Sequence, residues 1–180
     1  MLLVNFFAGP GAGKSTTSAY VFSKLKMAGV RAELVGEQAK DYVYDKSLDK
    51  LDNQILLLGK QFQRTKRLAE GNVDVAISDS PFALSIMYGR DRAYGQELTA
   101  LVRKLESLYP DTLNFFIKRV KPYQKFGRLQ TAEEAAGLDL EALSLVTTVH
   151  YTVTGNQAGA EDAFDYIMAY AGKGAYGSNN

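Results

Sequence analysis

Cysteine is absent from these 180 residues, and histidine occurs once, at His150. Disulfides and thiolate metal sites are thereby excluded. One histidine cannot build a multi-histidine zinc centre, so zinc chemistry is not expected. An excess of one charge is also missing: 21 Lys and Arg face 20 Asp and Glu, leaving a formal net charge of +1. That balance argues against a dedicated nucleic-acid binder while leaving room for a local basic patch. Long apolar runs are lacking too. None approaches the roughly 20 residues of a membrane helix. The first run, "LLVNFF", has no basic segment ahead of it and is too short for a signal sequence. A cytoplasmic location without membrane contact is the expectation. What is present is ordinary for a globular chain: 46% hydrophobic and 23% charged residues, at a length that fits one domain.

Stretches rich in β-branched or aromatic residues read as strands: Leu2–Phe7, Val73–Ser78, Thr112–Ile117, Tyr151–Thr154 and, more weakly, Arg31–Val35. Helical patterns lie between them. Ser15–Ala28 places Ala19, Phe22, Leu25 and Met27 near one face and stops at Gly29. Leu48–Glu70 is a long amphipathic candidate. Pro81–Tyr88, Gly95–Tyr109, Thr131–Val146 and Ala158–Tyr170 follow, the fifth of these six opening with the capping-box pattern Thr131-Ala-Glu-Glu134. Strands alternating with helices predict βα units around a parallel sheet with helices on both faces. There is no internal repeat. Residues 1–171 read as one α/β domain, and 172–180, "GKGAYGSNN", as a frayed tail.

The stretch "AGPGAGKST", Ala8 to Thr16, directly follows the first strand. The phosphate-loop pattern is Gly, four residues, then Gly-Lys-Ser/Thr. Gly13-Lys14-Ser15 fits it, and Ala8 supplies the small residue needed at the opening position. Gly9, Gly11 and Gly13 let the backbone wrap close to phosphate oxygens. The amides of this loop, including those of Ala12 and Thr16, form an anion nest with the helix that follows. Lys14 is expected to reach the β- and γ-phosphates of ATP and Ser15 to hold Mg²⁺ through its hydroxyl. The third strand ends in Ser78-Asp79-Ser80-Pro81. A strand-terminal Asp suits the orientation of Mg²⁺ or its waters. Asp-x-Pro also suits a helix N-cap.

With these residues in view, the chain resembles the P-loop nucleoside and nucleotide kinases, including their small phage-encoded members. "AGPGAGKST" is similar to the adenylate-kinase form of the loop. "SDSP" is similar to the Asp-containing element of thymidylate and deoxynucleoside kinases. Lys118–Ala135, "KRVKPYQKFGRLQTAEEA", resembles their lid, and "YTVTGNQAGAEDAFDYI" their last strand and base-binding loop. The resemblance implies a three-layer P-loop NTPase fold with five parallel strands in the order 2-3-1-4-5, a lid over 118–135, and ATP-dependent phosphotransfer. It places Gly155–Gln157, with Asn156 at their centre, beside the adenine. It also gives Glu37, after the second strand, the position of a base for an acceptor hydroxyl, with Asp41 one turn further on. The family's double-Arg element is missing, because Ser80 stands where it would place an arginine.

Physical chemistry adds roles to the remaining charged and aromatic residues. Lys118, Arg119, Lys121, Lys125 and Arg128 crowd a stretch that Pro122 and Gly127 keep from being helical. A basic loop beside a phosphate site closes, excludes water and neutralises charge on the transferred group. Arg119 and Arg128 are the candidates, because guanidinium groups span two phosphate oxygens. Gln61 and Arg64 share a helix face, one to read a base edge and one to hold a phosphate. Arg90 and Arg92 offer an alternative phosphate clamp. Phe82 can stack on a nucleobase or pack in the core.

The leading expectation is a Mg²⁺- and ATP-dependent kinase of a deoxynucleoside monophosphate. A second keeps the transfer but changes the acceptor to a hydroxyl, on a nucleoside, another small molecule, or a base or end within DNA. A third, from another class, is an ATPase switch working through a protein partner.

Overall fold

Apolar runs and helical stripes alternate along the chain, and the structure alternates with them. The computed structural model describes residues 1–36, 38–124, 130–147 and 151–173. The order is β1 (Leu2–Phe7), α1 (Lys14–Met27), β2 (Ala32–Val35), α2 (Gln38–Tyr44), a 3-10 turn (Leu48–Asp52), α3 (Gln54–Glu70), β3 (Val75–Ser78), α4 (Leu84–Gly89), α5 (Gly95–Glu106), β4 (Thr112–Lys118), α6 (Ala132–Leu145), β5 (Tyr151–Thr154) and α7 (Gln157–Lys173). The strands form one parallel sheet in the order β2-β3-β1-β4-β5, as expected.

β1 lies at the centre and is buried along its whole length, which is why it reads as a run apolar but for Asn5 rather than an alternating one. Leu2, Val4 and Phe6 face α1 and α7, meeting Val21, Leu25, Ala163 and Ile167. Phe7 faces the opposite layer, with Leu58 of α3, Met87 of α4 and Val102 of α5. A polar strip crosses this second face toward the carboxyl ends of the strands. Asn5 and Asn114 are register partners, and Asn5 Nδ2 donates to Asn114 Oδ1 at 3.0 Å. Asn5 also pairs in register with Ser78, whose hydroxyl accepts from Gln61 Nε2 at 3.1 Å. Buried polar groups are tolerated here because they satisfy one another.

Several boundaries differ from the sequence expectation. The Leu48–Glu70 helix is broken at Asn53, whose Oδ1 accepts from Leu56 N at 3.0 Å. The side chain competes with the backbone and starts α3 afresh, with a 3-10 turn before it. α2 was not foreseen, since seven residues are too few to display a helical period. The buried face of α1 is Thr17, Ser18, Val21 and Leu25, whereas Met27 is exposed. The capping box at Thr131 and Glu134 forms with both of its bonds. α7 runs to Lys173, so Gly172 and Lys173 are helical and not part of a tail. The expected lid span, 118–135, starts at the last residue of β4 and runs into α6, whose N-cap is Thr131; its residues 125–129 lie outside the described residues. No helix among the described residues is long and apolar enough to cross a membrane.

At the far end of the sheet Arg31 and Asp74 tie the entries of β2 and β3 together, with Nε to Oδ2 at 2.9 Å and Nη2 to Oδ1 at 2.6 Å. The Arg31 hydrogen bond holds the Asp74 carboxyl below its ordinary value. A depressed carboxyl contributes stability above its unfolded pKa and loses it as pH falls through the folded one. In denaturant titrations, wild type should therefore exceed Arg31→Gln in stability at neutral pH. The gap should begin to narrow near pH 4, where the unfolded carboxyl protonates, and close as the folded carboxyl protonates at lower pH. A gap independent of pH contradicts this assignment.

Candidate functional site

Ala8 to Gly13 leave the carboxyl end of β1 and turn into α1. Gly13 holds φ at +116°, a conformation that L side chains rarely adopt. Lys14 Nζ folds over the loop and donates to Ala8 O at 2.8 Å and Gly9 O at 3.0 Å. Two other segments press on this backbone. A Cβ at Gly155, in the β5–α7 turn, would collide with the carbonyl oxygen of Ala12. A Cβ at Gly9 would fall 2.6 Å from Ala135 O and 2.8 Å from Asp139 Oδ1.

Asp79 directly follows β3, whose register sets Ser78 against Asn5 of β1. It is buried, and its Oδ1 has no hydrogen-bond partner. The N-cap of α4 is Ala83, so the capping role open to Asp79 in the sequence is not used. A buried, unpartnered carboxylate oxygen is costly unless something satisfies it. Mg²⁺ takes one or two protein oxygens and otherwise keeps water and phosphate ligands. Ser15 at the first turn of α1 and Asp79 beyond β3 fit such a sparse donor set. No cluster of three or more His, Cys, Asp or Glu suited to a metal occurs among the described residues.

A cavity of about 390 Å³ opens from the loop. Pro10, Gly11 and Gly13 to Thr16 form one side of it. Val43 of α2, Leu51 of the 3-10 turn, Leu57 of α3 and Leu84 of α4 supply apolar walls. Gln54, Gln61, Ser80, Ser85 and Tyr88 supply neutral hydrogen-bonding groups. Among the described residues the charged ones lining it are Lys14, Asp52 and Arg92, and Arg92 Nη2 already donates to Asp52 Oδ1 at 2.6 Å.

The structure separates the sequence candidates. Gln61 lines the cavity. Arg64 does not; its Nη1 donates to Gly36 O at 2.9 Å and holds the turn after β2. Arg90 is engaged outside the cavity with Glu141, at 2.7 Å. Phe82 is 5% exposed and packs between Phe62 and Tyr109, so the core placement holds for it. Asn156 caps α7, accepting from Gly159 N at 3.0 Å. Arg119 lies against the loop, its Nη2 donating to Pro10 O at 2.8 Å. Glu37 and Arg128 lie outside the described residues, as does the side chain of Asp41. Residues that the sequence did not single out include Gln54, Ser85 and Asp52 in the cavity. Asp139 is another: it shares a helical stripe with buried Ala135 and Ala142, and a carboxylate in such a stripe was the available signal.

No family model matches the chain, and no curated protein matches it. Solved structures do. The APS kinase of Mycobacterium tuberculosis is similar over 94% of this chain and 96% of its own, at 16% identity and a TM-score of 0.51. Shikimate kinase from Aquifex aeolicus matches over 96% and 98%, at 14% identity and a TM-score of 0.48. The fold is that of the P-loop kinases.

The unpartnered Asp79 oxygen leads to a prediction of opposite signs. Asp79→Asn should melt no lower than wild type, because it removes an uncompensated buried charge. Its Mg²⁺ requirement for ATP turnover should rise by about tenfold or more. Lower stability with an unchanged Mg²⁺ requirement would make Asp79 a structural residue.

Proposed function

We propose that this chain is a Mg²⁺- and ATP-dependent phosphotransferase whose acceptor is a hydroxyl group on a nucleoside-like compound, free or within DNA. The observation that carries the acceptor choice is the cavity lining. Beyond Lys14 its sole cation among the described residues is Arg92, and Asp52 already neutralises it. A monophosphate acceptor brings about two negative charges, which demand cations that are not already spent. Arg64 and Arg90, which could have supplied them, are engaged elsewhere. Neutral Gln, Ser and Tyr groups between apolar walls suit a hydroxylated ring compound.

In this reading the loop amides and Lys14 hold the β- and γ-phosphates, and Ser15 and Asp79 hold the metal. Mg²⁺, when bound, neutralises charge on the phosphate oxygens. Arg119 and Arg128 stabilise the transferring group from the lid side. Glu37 takes the proton of the acceptor hydroxyl as its oxygen forms a bond to the γ-phosphorus and ADP leaves. A phosphate acceptor would need no such base. The rival deoxynucleoside monophosphate kinase draws support from Arg92, which could exchange Asp52 for an acceptor phosphate.

A panel with γ-labelled ATP separates these readings: nucleosides, nucleoside monophosphates, DNA, and no acceptor. Label is expected on a hydroxyl of a nucleoside or of DNA. Glu37→Gln should then lower kcat by about a hundredfold or more with little change in KM. Diphosphate products from monophosphates, made equally well by Glu37→Gln, would establish the rival. Phosphate release without any acceptor, at the full rate, would make the chain an ATPase switch.

A further inference from the structure

One carboxylate joins three parts of the site. Asp139, on α6, accepts from the Gly9 backbone N–H through Oδ1 at 2.7 Å. The same side chain meets Arg119, with Nε to Oδ2 at 2.8 Å and Nη2 to Oδ1 at 3.1 Å. Arg119 Nη2 also reaches Pro10 O at 2.8 Å, and the guanidinium stands 5.8 Å over the Tyr123 ring. The Arg119 and Asp139 side chains are only 17% and 14% exposed. Two of the guanidinium nitrogens, Nε and Nη2, are thus fixed, and the third, Nη1, is buried without a hydrogen-bond partner.

This arrangement costs something in each piece. Gly9 must lack a side chain for α6 to approach. α6 must carry a charge on a face otherwise made of alanine. A buried guanidinium is left one bond short, which natural structures seldom allow without a reason. A fixed arginine with one unspent donor is the arrangement that stabilises a phosphate oxygen without reorganising. Gly9 opens the loop, and the amides from Gly11 onward belong to the phosphate nest. Asp139 therefore binds the loop without taking the ligand's place.

The geometry points to Asp139 as the positioning residue of this site: it locks Arg119 to the opening turn of the phosphate loop, so that Nη1 is presented to the phosphates of the nucleotide. The inference rests on the phosphotransferase reading and deepens it. Asp139 touches neither nucleotide nor acceptor; it acts through Arg119 and Gly9. The bond to Gly9 also couples α6, and with it the end of the lid, to the loop.

A double-mutant cycle on the full chain tests this, with Mg·ATP affinity measured by calorimetry and turnover measured with the acceptor found in the panel. Asp139→Asn and Arg119→Gln should each weaken Mg·ATP binding by about tenfold, the scale of one charge-assisted contact. The double variant should bind no worse than Arg119→Gln alone, because the two residues act as one unit. Losses that multiply, or wild-type affinity in Asp139→Asn, overturn the proposal. Asp139→Glu keeps the charge that pairs with Arg119 and serves if Asp139→Asn does not fold. Its arm is one methylene too long for both contacts, so weaker binding is expected and wild-type binding overturns the proposal. A wild type that binds Mg·ATP but phosphorylates nothing in the panel removes the phosphotransferase reading, and the affinity cycle then judges Asp139 by itself. Absence of Mg·ATP binding overturns both.

Discussion

A phosphate grip made of backbone amides works only where that backbone is held still, and most of this fold can be understood from that requirement. A loop carries no packing face of its own, so its rigidity must come from what surrounds it. Here β1 anchors one end as a strand buried on both faces, and α1 anchors the other. The β5–α7 turn touches the loop so closely that Gly155 cannot carry a side chain. α6 closes the remaining side through Asp139 and Gly9. Strand, turn and the helices α1 and α6 converge on six residues.

Charge is distributed with the same economy. Among the described residues the cations near the loop are matched: Lys14 to the carbonyls of Ala8 and Gly9, Arg119 to Asp139 and Pro10 O, Arg92 to Asp52. Against that background three buried polar atoms among the described residues lack a hydrogen-bond partner: Glu141 Oε1, which still pairs as an ion with Arg90, and the two beside the loop, Asp79 Oδ1 and Arg119 Nη1. Of the latter two, one is an acceptor that suits a metal or its water, the other a donor that suits a phosphate oxygen. They are the two kinds of group that the proposed transfer requires on either side of the phosphate chain. Two hydrogen-bonded pairs, Asn5–Asn114 and Gln61–Ser78, stand side by side through the Asn5–Ser78 register, between the middle of the sheet and the cavity wall.

The sheet and the phosphate loop were legible because each leaves a local signature. β1 is apolar but for Asn5, and the loop has its glycines and lysine at fixed spacing. The strand order followed from the family resemblance, not from the residues alone. The acceptor side was far less legible. Gln61, Arg64, Phe82 and Arg90 are equally polar or aromatic in sequence, yet only Gln61 faces the cavity. What separates them is which way each element is rotated, and tertiary packing decides that. Asn156 carried a base-binding expectation from its neighbourhood, although its short side chain is used by its own helix. The break at Asn53 was a capping signal hidden in an amphipathic stretch. Asp139 acts across a separation of 130 residues from Gly9, a pairing that no local pattern reports.

Everything proposed for the site depends on the loop from Ala8 to Thr16 gripping a nucleotide's phosphates. Calorimetric titration of Mg·ATP into the purified chain and into Lys14→Ala bears on it most directly. Saturable binding with one nucleotide per chain is predicted for wild type, with affinity at least about tenfold weaker in Lys14→Ala and an unchanged melting temperature. No saturable binding to wild type, or equal affinity in the two proteins, would contradict the account at its root.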